Sequence, residues 1–154
     1  MYLSLPVVLE IAQGIERKGI EIYQQMKDRF DDPLLDYLIA QEKEHIRVFH
    51  DLFARAPSAS TKETIEIPHL DEDYLAAAYA NTEIFGQVKP AHVPAKDLFP
   101  MAVVMEKESI RFYLELLAEI PEQFHEQRTL VHRIAGEERQ HLRKLLARKQ
   151  TFVG

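Results

Sequence analysis

Two stretches of this chain place a glutamate and a histidine three residues apart inside amphipathic helical patterns, and similar residues surround each pair. QEKEHIR at 41–47 and EERQHLR at 137–143 share Glu, His and Arg in register. The first lies along a face of Leu35, Leu38, Glu42, His45, Phe49, Leu52, Phe53 and Ala56. The second lies along Phe124, Val131, Ile134, Ala135, Glu138, His141, Leu142 and Leu145. Residues three and four apart share one side of a helix, so each Glu-x-x-His pair sits within an apolar seam. A carboxylate and an imidazole facing a core must find a counterpart there.

Two further segments complete the pattern. One runs from about Pro6 to Arg29 with a face of Leu9, Ala12, Glu16, Gly19, Ile20, Tyr23 and Phe30, and the other begins near Ala95 with Leu98, Ala102, Glu106, Ser109, Tyr113, Leu116 and Leu117. Asp32 suits an N-cap and Pro33 the first position of the second helix. Pro121 breaks the chain before the last helix, which is predicted to reach about Lys149. No window reads as a strand. Between the second and third helices, 57–94 is rich in Pro, Ser, Thr and acidic residues, with DEDYLAAAYANTEIF predicted as a short helix inside it. Two tight turns and one long crossover predict a single all-α domain, 1–154, folded as an antiparallel four-helix bundle.

The chain also repeats itself. IERKGIEIY at 15–23 aligns with MEKESIRFY at 105–113, and the Glu-x-x-His segments align in turn. The second helical pair is therefore a slightly extended copy of the first, and two such hairpins packed face to face would relate matching residues by a pseudo-twofold axis.

Composition narrows the chemistry. A chain of 154 residues can bury roughly 68–70% of its unfolded surface without covalent staples. It has no cysteine, which excludes a thiol nucleophile, a thiolate zinc site and an iron–sulfur or rubredoxin-type centre on this chain. A net charge of −6 with interleaved signs argues against nucleic acid as a partner. No signal peptide is evident, and no apolar run approaches the ~18 residues that span a bilayer. The expectation is a soluble cytoplasmic protein with no membrane partner.

Four Glu-x-x-His pairs occur, where 17 Glu and 7 His in 154 residues would give about one by chance. Geometry sorts them. Glu66 and His69 flank a proline in the crossover, and Glu122 and His125 fall in the first turn of the last helix. The other two pairs lie deep in their helices. At 1.5 Å rise per residue, Glu16 stands about 20 Å above the first turn, with Glu42 and His45 at about 14–18 Å on the returning helix. Glu106 stands about 21 Å above the second turn, with Glu138 and His141 at about 24–28 Å. These six can meet at one level. Four ionised carboxylates in a core would repel one another and carry large desolvation costs. Two divalent cations match their charge, and oxygen and nitrogen donors without sulfur suit iron or manganese. One Glu from each of two helices plus Glu-x-x-His from each of the others is an arrangement of di-iron or di-manganese carboxylate bundles.

Across all four helices the pattern resembles the rubrerythrin branch of the ferritin-like di-iron carboxylate family. The resemblance implies a ferritin-like bundle with Glu16, Glu42, His45, Glu106, Glu138 and His141 as ligands of two iron ions per chain, with manganese or a mixed pair as variants. Glu42 and Glu138 match the bridging carboxylates. It implies an oxidoreductase that reduces hydrogen peroxide or dioxygen in defence against oxidative stress, supplied with electrons by an external donor such as a rubredoxin or a flavoprotein, and it makes a homodimer the expected assembly. Two departures stand out. The rubredoxin domain of rubrerythrins has no counterpart here, and Ser109 stands where they carry a further Glu one turn after the third-helix ligand. That departure bears on peroxide turnover.

Two alternatives remain open on the residues alone: an iron-handling ferroxidase, and a structural bundle with an inert metal site. Tyr23 and Tyr113 lie seven residues beyond Glu16 and Glu106, placed either to hydrogen-bond the carboxylates or to pack as core. Gly19 and Ser109 align in the repeat and mark a close approach of helices. His50, His69, His92, His125 and His132 read as surface or loop residues.

Overall fold

The computed structural model describes residues 2–54, 64–66 and 93–153. The short helix expected inside the crossover, together with His69 and His92, lies outside the described residues. Strand β1 (Tyr2–Ser4) leads into helix α1 (Leu5–Lys27), followed by α2 (Pro33–Ala54), β2 (Thr64–Glu66), α3 (Ala95–Glu119), α4 (His125–Ala147) and the short α5 (Lys149–Val153). The four long helices form a bundle. A crossover of some forty residues joins α2 to α3.

Local chemistry explains the ends of these helices. Asp32 accepts the Leu34 amide at 2.9 Å on its side chain and precedes Pro33, so α2 starts where the sequence placed it. The buried Asp32 carboxylate also accepts from Arg148 at 3.2 Å, fastening the first turn to the end of α4. At the opposite end, the Arg128 guanidinium donates to the Leu117 and Ile120 carbonyls at 3.1 and 2.6 Å. Those carbonyls end α3 and have no helical partner of their own. Pro100 lies in the second turn of α3 on an exposed position, where water can meet the Lys96 carbonyl that it leaves without a helical amide.

The core divides into two apolar halves. One gathers residues such as Val8, Ile11 and Ile15 of α1, Phe49 of α2, Tyr113 and Leu116 of α3, and Val131 and Ile134 of α4. The other gathers Met26 of α1, Leu35 and Leu38 of α2, Leu98 and Met105 of α3, and Leu145 of α4. Along α1 and α4 the first half precedes the second, whereas along α2 and α3 the order is reversed. The two hairpins therefore point in opposite directions, with their turns at opposite ends of the bundle. This polarity is why the α2–α3 connection is long: α2 ends at the end opposite to where α3 begins.

Three details differ from the sequence reading. Tyr2–Ser4 and Thr64–Glu66 form an antiparallel ribbon, pairing Leu3 with Ile65. Three residues per strand are too few to show a period of two. Glu122 precedes α4, which begins at His125, so Glu122 and His125 do not share a helical first turn. The last helix breaks at Arg148, just past Ala147, and the chain continues as the short α5. Phe152 anchors α5 in the core: its ring meets Phe30 edge-on at 5.3 Å and stacks on Phe99 at 6.0 Å. Phe152→Ala is expected to lower the unfolding free energy by about 3 kcal/mol in urea titration. A loss below about 1 kcal/mol would mean that α5 does not close the bundle.

Candidate metal centre

Between the two apolar halves lies a single polar layer. Glu16, Glu42, His45, Glu106, Glu138 and His141 are each at most 2% exposed. Each helix supplies them at the point where its seam passes from one apolar cluster to the other. The six candidate ligands thus come together at mid-bundle, as their expected heights require. His50, His125 and His132 are exposed, and Glu122 lies on the surface at the bundle end.

The layer is built around two imidazoles, stacked 5.6 Å apart with ring planes 16° from parallel. The Nδ1 atom of each faces the carboxylates. His45 Nδ1 lies 3.2 Å from Glu16 Oε2, 3.5 Å from Glu42 Oε2 and 2.9 Å from Glu138 Oε1. His141 Nδ1 lies 3.4 Å from Glu42 Oε1, 3.2 Å from Glu138 Oε2 and 3.7 Å from Glu106 Oε1. Glu42 and Glu138 therefore each direct one oxygen to each histidine. Glu16 reaches only the His45 side, and Glu106 only the His141 side.

Two overlapping groups result, Glu16–Glu42–His45–Glu138 and Glu42–Glu106–Glu138–His141, with one donor atom per residue all within 4.8 Å of one another. That spacing is near the ~4 Å expected across a metal ion with bonds of ~2.1 Å. The donor set also has capacity left over. Glu106 Oε2 and Glu138 Oε1 are buried without a hydrogen bond among the described residues, the latter lying close to His45 but misaligned for one. Buried carboxylate oxygens without donors are costly, and a cation at each group would satisfy them. The residues fit a pair of divalent ions.

The tyrosines act across the bundle. The Tyr23 hydroxyl of α1 donates to Glu106 of α3, and the Tyr113 hydroxyl of α3 donates to Glu16 of α1. Burial, and then the charge of the carboxylate each one contacts, pushes both phenols well above their ordinary range, so they remain donors. Gly19 faces Glu42: a Cβ there would meet the Glu42 carboxylate at 3.4 Å. Ser109 turns its hydroxyl to the Met105 carbonyl at 2.9 Å and supplies no carboxylate.

Reading the sequence missed Glu137. Its Oε2 lies 2.8 Å from His45 Nε2, on the side of the ring away from the other carboxylates. The available signal was an asymmetry in the repeat, where Glu137 aligns with Gln41. Tyr37 was also missed; it lies edge-on to His141 at 6.2 Å.

No protein-family model matches the chain. Over 52 residues it is 47% identical to an uncharacterized protein of Archaeoglobus fulgidus, a match that covers 32% of this chain and 82% of that protein. The chain belongs to that protein's family. A crystal structure from Thermotoga maritima, provisionally described as a ferritin-like diiron-carboxylate protein, superposes with a TM-score of 0.69 over 97% of both chains at 20% identity. The fold is a ferritin-like four-helix bundle. No helix among the described residues is long and apolar enough to cross a membrane.

Without metal, protons must hold the layer together. Burial, then the charges of Glu16 and Glu138, pushes the Glu42 carboxyl well above the carboxylate range. Burial, then Glu16 and Glu106, does the same to Glu138. Burial raises Glu16 too, but hydrogen bonds with Glu42 and His45 outweigh it and hold this carboxyl low. Burial opposes the His141 cation, yet its bonds to Glu106, Glu138 and Glu42 carry it up to about 12, and carboxylates raise His45 further. Groups raised on folding stabilise the folded state in full below their unfolded values, about 4.3 for Glu and about 6.5 for His, and lose that contribution as pH climbs from there through their folded values. Glu16, held low, has already made its full contribution above the unfolded carboxyl value of ~4.3. Chelator-treated protein is therefore expected to lose thermal stability steadily from about pH 5 to pH 8. Metal binding, which displaces these protons, is expected to tighten over the same range. Metal-free stability that rises across this window would contradict the proton-filled layer.

Proposed function

We propose that the chain is a non-haem di-iron or di-manganese oxidoreductase of the rubrerythrin type, reducing hydrogen peroxide or dioxygen with electrons from a separate donor such as a rubredoxin or a flavoprotein. The observation that carries this reading is the pair of shared carboxylates: Glu42 and Glu138 each offer one oxygen toward His45 and one toward His141. On this reading Glu16 and His45 complete one ligand set, and Glu106 and His141 complete the other. A bound pair of iron ions supplies one electron per ion, the two that peroxide needs for reduction to water.

The remaining work falls to the chain itself. The two apolar halves exclude water from both sides of the layer, which strengthens the electrostatic interactions inside it. Tyr23 and Tyr113 fix the outer carboxylates Glu106 and Glu16 by donating to them, a support that steadies metal-binding side chains. Gly19 leaves room for the Glu42 carboxylate. With Ser109 satisfied on its own helix, no further carboxylate is available from that turn of α3.

An anaerobic Fe(II) titration of metal-free protein, followed by one equivalent of hydrogen peroxide, tests the proposal. Saturation at two irons per chain and prompt near-ultraviolet absorption of the oxidised pair are expected, with the absorption lost on adding reduced rubredoxin. Consumption of many irons per chain under dioxygen would instead favour iron handling. Saturation near zero would remove the metal reading.

A variant separates function from folding. Glu42→Leu is expected to leave the metal-free bundle folded but less stable by about 1–3 kcal/mol, because Glu16 loses a hydrogen-bond partner and His45 and His141 lose a neighbouring carboxyl group. It should also abolish the metal-induced rise in Tm. If that rise persists in the variant, Glu42 is not a ligand.

A further inference from the structure

The repeat that generates the polar layer is broken at one position beside it. Glu42 corresponds to Glu138 and His45 to His141, but the residue before the first glutamate of each pair is Gln41 in one copy and Glu137 in the other. The break falls on the outer edge of the two imidazoles. His45 Nε2 donates to the Glu137 carboxylate at 2.8 Å. His141 Nε2 is buried with no hydrogen-bond partner among the described residues.

The charges nearby differ in the same sense. On the His45 side the contacting group is an anion, with Arg133 at 3.7 Å from its other oxygen. On the His141 side the neighbour is the Tyr37 ring, lying edge-on, and above that ring the Lys144 ammonium sits 5.0 Å from its centre. A carboxylate accepting the outer N–H of a ligating imidazole fixes the ring and raises the basicity of its other nitrogen. An imidazole with a bare outer nitrogen and a nearby cation has neither benefit.

We propose that the two metal positions are inequivalent and that Glu137, acting through His45, makes the Glu16/His45 position the tighter and first filled. This rests on reading the layer as a paired metal centre. Glu137 is a positioning residue: it touches neither the carboxylates at the centre nor the space between the two Nδ1 atoms. The otherwise symmetric set of donors is thereby polarised, with one ion held more firmly than its neighbour.

Anaerobic Mn(II) titration followed by electron paramagnetic resonance reads this directly, because an isolated Mn(II) gives a six-line spectrum that is lost when a second Mn(II) couples to it. In the wild-type protein the six-line signal is expected to climb to nearly one ion per chain at one equivalent, then fall as the second position fills. Glu16→Ala should remove the tight step, and Glu106→Ala the weak one. Glu137→Gln should weaken the tight step by about 10–100-fold, so that at one equivalent the two positions fill almost statistically. Gln41→Glu, which places a carboxylate at the matching position beside His141, should tighten the weak step in an otherwise native layer. This second variant keeps the test decisive should Glu137→Gln perturb folding.

Two equal steps in the wild-type protein would overturn the proposal, as would a tight step unmoved by Glu137→Gln or a weak step unmoved by Gln41→Glu. Absence of any Mn(II) or Fe(II) binding would defeat the paired-metal reading itself, and the inequivalence with it. Because binding without asymmetry defeats only the second, the two failures are distinguishable.

Discussion

The structure turns on the mutual repulsion of four carboxylates in one buried layer. Glu16, Glu42, Glu106 and Glu138 meet where water cannot screen them, and only bound cations or protons can make that layer tolerable. Other features follow from this constraint. Two imidazoles stand among the carboxylates with Nδ1 turned inward, and two buried phenols donate from the opposite helices. The apolar halves on either side hold the bundle together while the layer contributes chemistry instead of packing. The same burial that makes the layer costly is what would make a bound ion effective.

Duplication is the simplest way to build such a layer, and its consequences run through the fold. A hairpin that supplies Glu16 from one helix and Glu-x-x-His from the next provides half of the donors. Packed against a reversed copy, it completes both halves at the same level. The reversal sends Tyr23 toward Glu106 and Tyr113 toward Glu16, so each tyrosine steadies the other hairpin's carboxylate. It also forces the long crossover, since α2 ends at the end of the bundle opposite the start of α3. Where the duplication has diverged, at Gln41 against Glu137, the symmetry of the layer is lost.

Much of this was legible in the sequence because it depends on helical spacing, which is strongly periodic. The four long helices, the Asp32–Pro33 start and the meeting of all six residues follow from seams of 3.6-residue period and simple heights. The tyrosine contacts were only half legible. Position placed them near the layer, but reaching across to the opposite helix requires the hairpins' relative polarity, which spacing within one helix does not contain. The β1–β2 ribbon was hidden because three-residue strands carry no readable alternation. The break before α5 was hidden because the anchoring of Phe152 depends on where Phe30 and Phe99 lie in space. Glu137 falls outside the apolar seam that carries Glu138, and only the packing of α4 against α2 brings it to His45.

The most direct test of the central claim is crystallographic. Crystals grown without metal and soaked anaerobically in Fe(II) can be measured on both sides of the iron absorption edge. The account requires two anomalous peaks per chain within the mid-bundle layer, each touching Glu42 and Glu138, one beside His45 and the other beside His141. Peaks confined to surface carboxylates, or a layer still closed by protons at saturating Fe(II), would contradict it.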